Sequence, residues 1–291
     1  MNAYQHYALL MRTPRALALR RIIEQEVRPG MRVLDAGCGS GLLSLWAAQA
    51  GATVLGVDMA DVSLARALAV ENNVHDRVTF IQGNLHNVGL EEQGPFDVLL
   101  AMVYLNDPRR DEAASELVFK LKRYMRPNAV LVPDQVRYTA QALDCPEQEH
   151  ALRMGRIDRD VRSLEQAFGL RLDPFRSALA HRPTKEMFPH RRDDGTLELP
   201  GAVSLSAPEV IHTVDYGSTG HAFPAICTIP ITTGGRCTTV QWTQELRFKD
   251  QLIFSNSSIG WLDPARNVSP GERIALETGQ AWREDNLLKW S

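Results

Sequence analysis

Between Met31 and about Leu131 the chain alternates short apolar runs with stretches of helix-forming residues, an order that few folds accommodate. The apolar runs are MRVLDAG, ATVLGVD, VTFIQGN and FDVLLAM, with AVLVP closing the set. Leu42 to Ala50 and Val62 to Asn72 carry helix formers between them, and Ser115 to Met125 repeats apolar residues at helical spacing. This predicts parallel βαβ units and a doubly wound α/β domain in the first half of the chain.

The flanks read differently. Thr13-Pro14 is a good helix start, because threonine can cap the first turn and proline is already fixed at a helical φ. One helix is expected before it and one after. Downstream of about Asp134 the text turns β-rich, with QVRYTAQAL, VIHTVDY, FPAICTIPIT, TVQWTQELRF and QLIFSNSSIGW separated by Gly, Pro and Asp turns, which predicts a β-sandwich or barrel. Residues from Pro146 to about Pro200 fit neither pattern: Glu147 to Phe168 is helical text, and HRRDDG lies at His190 to Gly195. The expected organisation is an N-terminal α/β domain over 1–133 and a β domain over 134–291 that carries an inserted arm at about 146–200. The 291 residues, 44% of them hydrophobic, suffice for a core in one large domain or two modest ones.

Charge bears on partners. With Lys+Arg 32 against Asp+Glu 35 the net charge is −3, so no basic surplus argues for nucleic acid or an anionic membrane. No apolar run has the length of a membrane helix, and MNAYQHYALLMRTPR lacks the apolar stretch of a signal peptide, so a cytosolic protein is expected. Cys38, Cys145, Cys227 and Cys237 are far apart and form no CxxC pair, which favours reduced structural thiols over zinc or disulfides, and no His/Asp/Glu cluster has metal spacing.

The chemistry concentrates at VLDAGCGSG. Asp35, Gly37, Gly39 and Gly41 end a strand and run straight into a helix, where missing Cβ atoms let backbone amides approach a ligand at a helix N-terminus. After the next strand, Asp58 ends ATVLGVD, where a carboxylate can accept both ribose hydroxyls. Dinucleotide enzymes share both features, and the glycines alone are compatible with a plain tight turn. D-A-G-C-G-S-G followed in order by GVD, VTFIQGN and FDVLL resembles class I S-adenosylmethionine-dependent methyltransferases. That resemblance implies that the Gly37 to Gly41 loop holds the amino-acid part of the cofactor and Asp58 its ribose. Asp35 and Met59 would lie beside them, and Asn84, Leu85 and His86 would flank the adenine. His86 taken alone reads equally well as a solvated loop histidine.

A narrower resemblance is to the protein arginine methyltransferases. Their early helix reads H-x-x-M-L-x-D-x-x-R, and His6 and Arg15 keep the outer residues at that spacing. LVPDQVRYTAQAL is similar to the family's passage from α/β domain to β-barrel, and TVQWTQ resembles its Thr-His-Trp loop, with SPGERI near the end of the barrel strands. The resemblance implies that His6 and Arg15 serve the cofactor, Arg15 by clamping its carboxylate with a guanidinium fork; beside Arg12, Arg20 and Arg21 it reads equally as one more solvated arginine. The family carries two glutamates after the FDVLL strand. The first falls on Met102 and the second on Asp111, while the loop histidine falls on Gln241 and Trp242 stays in place.

A desolvated guanidinium needs anionic partners, so Met102 suits a less cationic or partly apolar acceptor. Asp111, Tyr104 and Gln241 become the candidate catalytic residues, and Met102, Asp107 and Trp242 the candidate acceptor contacts. Glu112 and Glu116 read as a solvated helix start. The expected function is methyl transfer to an N or O acceptor on a small molecule or peptide. The alternatives are a protein or free-arginine guanidine as acceptor, a catalytically silent cofactor-binding scaffold and, more distantly, dinucleotide oxidoreduction. Relatives dimerise through an arm in the barrel, and about Gly169 to Pro200 occupies that place, which implies a homodimer.

Overall fold

A computed structural model describes residues 13–104, 108–145, 158–159, 161–169, 171–173, 197, 199, 201–218, 222–277 and 287–288. Helix α1 (Thr13–Glu26) leads into β1 (Arg32–Ala36), α2 (Leu42–Gln49), β2 (Thr53–Asp58), α3 (Ser63–Glu71), β3 (Val78–Gln82), β4 (Phe96–Ala101), α4 (Pro108–Leu121) and β5 (Met125–Val132). The five strands form one parallel sheet in the order β3-β2-β1-β4-β5. The chain reverses direction across the sheet between β1 and β4, and in such folds a ligand crevice opens at the carboxyl ends of the strands on either side of that point. Val33, Leu34, Ala36, Val54, Val57, Val98 and Leu99 are buried along the central strands, as the apolar runs require.

The last helix of this half departs from the sequence pattern. Apolar spacing places it over Ser115 to Met125, whereas α4 runs Pro108–Leu121 and a 3-10 turn at Lys122–Tyr124 follows before Met125 opens β5. Proline is well placed at a helix start, and Asp111 in the first turn complements the positive end of the helix dipole. Tyr124 and Met125 still pack against the core, so the apolar periodicity outlasts the helix.

The second half is antiparallel. Strands β6 (Gln135–Asp144), β7 (Val203–Ser204), β8 (Glu209–Asp215), β10 (Gly235–Phe248), β11 (Gln251–Val268) and β13 (Leu287–Leu288) form a six-stranded sheet in the order β13-β11-β10-β6-β7, with β8 also on β6. Strands β9 (Ile226–Pro230) and β12 (Arg273–Glu277) pair separately. This is the expected Rossmann-like domain followed by a β-barrel or sandwich domain, and residues 161–168, within the presumed arm, are helical.

Two large apolar cores form among the described residues, and the long strands thread both. On β10, Val240 and Trp242 lie in the barrel core while Leu246 and Phe248 join the core of the parallel sheet; on β6, Ala140 and Ala142 divide in the same way from Val136 and Tyr138. Helix α1 packs on α2 and against β11, so it too bridges the halves.

Candidate active site

Asp35 is the next-to-last residue of β1 and pairs with Gly56, while Asp58 ends the neighbouring β2 two residues further on. The loop between β1 and α2 turns back over both. Gly37 and Cys38 donate their amides to the Val57 carbonyl at 2.8 and 3.1 Å, and Gly41 donates to the Cys38 carbonyl at 2.8 Å. Gly37, Gly39 and Gly41 have φ of 75°, 55° and 78°, a left-handed region in which residues with a side chain are strained. Space is short as well. A Cβ at Gly37 would stand 3.0 Å from Val103 Cγ1, and one at Gly41 only 2.7 Å from the Phe80 ring. Val103 belongs to the connection after β4, so that connection meets the glycine loop at Val103, with Met102 and Tyr104 on either side of it in the chain.

The two aspartates do different work. Asp58 is half-buried, and its two oxygens accept the amides of Gly39 at 2.9 Å and Ala60 at 2.8 Å, which locks the loop to the tip of β2. Met59, next to it, is 71% exposed, an apolar surface beside a carboxylate. Asp35 is 1% exposed and accepts a 2.6 Å hydrogen bond from the Ser44 hydroxyl of α2. It therefore lies beneath the loop as a support. Burial lifts its pKa to about 6; the Ser44 hydrogen bonds oppose the rise and the Asp58 charge adds to it. Burial also pushes the Cys38 thiol far above its ordinary range, with the Asp35 and Asp58 charges reinforcing the effect, so Cys38 is held neutral.

After β3, Asn84 and His86 are exposed and Leu85 packs on the core; the Asn84 side chain accepts the His86 amide at 3.0 Å. Arg15, in the first turn of α1, has its guanidinium 5.7 Å from the Phe254 ring of β11, facing the barrel. His6 and Asp107 lie outside the described residues.

The acceptor-side candidates separate. Met102 and Tyr104 are half-buried on either side of Val103, and the Tyr104 hydroxyl is enclosed with no hydrogen-bond partner among the described residues. Trp242 is 3% exposed within the barrel core, so its ring packs inside the second domain. Gln241 points to the opposite face of β10 and pairs in the ladder with Gln141 and Ile259. Asp111 is 0% exposed. Its Oδ2 accepts the side-chain amide of Gln244 and, at 3.2 Å, the hydroxyl of Tyr138, while the Gln244 amide also reaches the Tyr138 hydroxyl at 3.0 Å. Gln244 and Tyr138 face each other across the β10–β6 ladder. Neither stood out in the sequence, although strand alternation places Gln244 on the inward face between Trp242 and Leu246. Glu116 is exposed and pairs with Lys120 at 2.7 Å, as a solvated helix face would.

Residues 33–128 match the family described as methyltransferase domain, and the parallel sheet over that stretch resembles the class I methyltransferases. Within that class the chain resembles the protein arginine methyltransferases. It is 26% identical to protein arginine N-methyltransferase 1 of Saccharomyces cerevisiae over 193 residues, covering 62% of this chain and 52% of the yeast protein. Against protein arginine N-methyltransferase 1 of Schizosaccharomyces pombe it is 32% identical over 114 residues, 38% of this chain and 33% of that protein. The chain thus aligns with about half, or less, of the curated relatives it matches. Among solved structures, the Trypanosoma brucei PRMT1 enzyme-prozyme heterotetrameric complex with AdoHcy matches with a TM-score of 0.68 at 18% identity, covering 95% of this chain and 89% of that one. A crystal structure of PRMT6 matches at 0.64 and 13% identity, over 95% and 94%. The fold is shared across both halves.

Proposed function

We propose that this chain is an S-adenosylmethionine-dependent, arginine-methyltransferase-like enzyme that transfers a methyl group to a nitrogen or oxygen on a small molecule or peptide. One observation carries the reading: the left-handed loop Gly37–Cys38–Gly39–Ser40–Gly41 is pinned by its Gly39 amide to Asp58 at the tip of the neighbouring strand. A loop without Cβ atoms at its three turns, opening onto a helix N-terminus, suits the amino-acid end of the cofactor. Asp58 then takes the ribose hydroxyls and the exposed thioether side chain of Met59 the flat adenine. Arg15 is the proposed partner of the cofactor carboxylate.

The bound cofactor supplies a methyl group on a sulfonium, an excellent leaving group, so the protein has mainly to position the acceptor and receive its proton. Met102 and Tyr104 flank Val103, the residue that meets the loop, and the acceptor is proposed to stand beside them. Tyr104 brings a buried hydroxyl that an acceptor can satisfy, and Met102 brings an apolar wall that favours an uncharged group. The names of the relatives support a guanidine acceptor as the second reading. A cytosolic homodimer built through the arm completes the proposal.

Calorimetric titration with S-adenosylmethionine tests this. The native protein is expected to bind, and Asp58→Ala and Arg15→Ala are each expected to weaken binding by at least about tenfold, the size of a lost hydrogen bond to a charged group. No binding by the native protein would end the methyltransferase reading. Binding without methyl transfer to any amine, hydroxyl or arginine peptide offered with labelled cofactor would leave a silent scaffold.

A further inference from the structure

Helix α4, which follows the Met102–Tyr104 segment, is tied to the other domain along one stripe. Asp111, Ser115, Phe119 and Lys122 recur at helical spacing from the first turn of α4 into the 3-10 turn beyond it. Asp111 meets Gln244 and Tyr138 of the barrel, the Phe119 ring lies 5.1 Å from that of Tyr216, and Lys122 Nζ donates to the Tyr216 carbonyl at 2.5 Å. The stripe carries a carboxylate only at its inner end and is otherwise made of the buried Ser115, the Phe119 ring and Lys122. That end is also where the chain arrives from Met102, Val103 and Tyr104.

We propose that Gln244 and Tyr138 are positioning residues for the methyl-transfer site. By engaging Asp111 they fix the start of α4, and through it they seat the Met102–Tyr104 segment on the glycine loop. The geometry supports this in three steps. Gln244 and Tyr138 are cross-strand neighbours on the rigid centre of the sheet, so their two donors are held as a fork. Asp111 is wholly enclosed, and an enclosed carboxylate stripped of a donor carries a desolvation penalty that favours movement of α4 away from the barrel. Val103 Cγ1 stands where a Cβ on Gly37 would come within 3.0 Å of it, so no added side chain would fit between them and a displacement at Asp111 reaches the loop with little slack. The barrel thereby takes part in cofactor binding without touching the cofactor.

The inference rests on the methyltransferase reading, and the test keeps the two apart. S-adenosylmethionine binding is measured by calorimetry, and thermal unfolding by circular dichroism, for the native protein and for Gln244→Leu, Tyr138→Phe and Phe119→Leu. Gln244→Leu removes the amide; Tyr138→Phe removes only a hydroxyl and keeps the shape, so it reports even if the first variant does not fold. Phe119→Leu loosens the same stripe away from its inner end. All three are expected to lower the melting temperature. Gln244→Leu is expected to raise the dissociation constant about tenfold and Tyr138→Phe about threefold, while Phe119→Leu leaves it within about twofold. Equal weakening by all three, or no weakening by Gln244→Leu and Tyr138→Phe in a native protein that binds, would overturn the positioning role. A native protein that does not bind would instead remove the functional reading itself.

Discussion

Asp35 and Asp58 lie at or beside the ends of adjacent parallel strands, and both are legible in the sequence as strand-end acids; what separates them is whether solvent reaches the carboxylate. Asp58 keeps access and anchors the loop, while Asp35 is sealed under it, with its pKa raised to about 6 from the model-compound value of 3.8. A carboxyl whose folded pKa lies above its unfolded value favours the fold when protonated. That contribution is fully present below the unfolded pKa and is lost as pH rises through about 6. Asp35→Asn should therefore flatten the stability profile between pH 4 and pH 6, by about 3 kcal/mol relative to the native protein, in urea denaturation followed across that window. If the native and Asn profiles run parallel, Asp35 does not titrate with folding. Gly37, Gly39, Gly41 and Asp58 could be found from sequence because a turn and a strand end fix their places within a few residues. Tyr138 and Gln244 could not, since their shared partner Asp111 stands 27 and 133 residues away in the chain.

At the scale of elements, the βαβ order was legible because each strand of the parallel sheet carries a short apolar cluster, such as VLLA in β4 and AVLV in β5. The boundaries of α4 were not. Its start depends on Pro108 and on a buried acid that apolar spacing does not mark, and its end depends on a 3-10 turn that continues the apolar series. Phe80 shows how tightly the remaining elements are set. From β3 its ring fills the space left by two missing side chains, where a Cβ at Gly56 would stand 2.6 Å from it and one at Gly41 2.7 Å. Phe80→Ala should cost roughly 3–5 kcal/mol and loosen the glycine loop together with the core, because the cavity opens directly beneath Gly41. A loss under 1 kcal/mol in urea denaturation would show that the loop collapses into the space. The long strands β10 and β11 read as barrel strands in the sequence. That they extend into the other core follows only from their length once folded.

For the whole molecule, one domain carries the glycine loop and the second packs against it along the α4 stripe and α1. Among the described residues no helix is long and apolar enough to cross a membrane. The proposed homodimer predicts a light-scattering mass twice the 32.5 kDa of one chain, and a mass of 32.5 kDa at micromolar concentration would remove it. The sequence by itself determined the parallel sheet, the change to antiparallel strands near Asp134, the glycine loop and the acid that anchors it. Each of these is encoded by residues close together in the chain, through apolar periodicity and local backbone geometry. Only the tertiary structure decided that Asp35 supports the loop, that Trp242 fills the barrel core, and that Asp111 meets Tyr138 and Gln244 in the seam between domains. Burial and cross-domain hydrogen bonds depend on which distant surfaces meet, and no local pattern of residues carries that information.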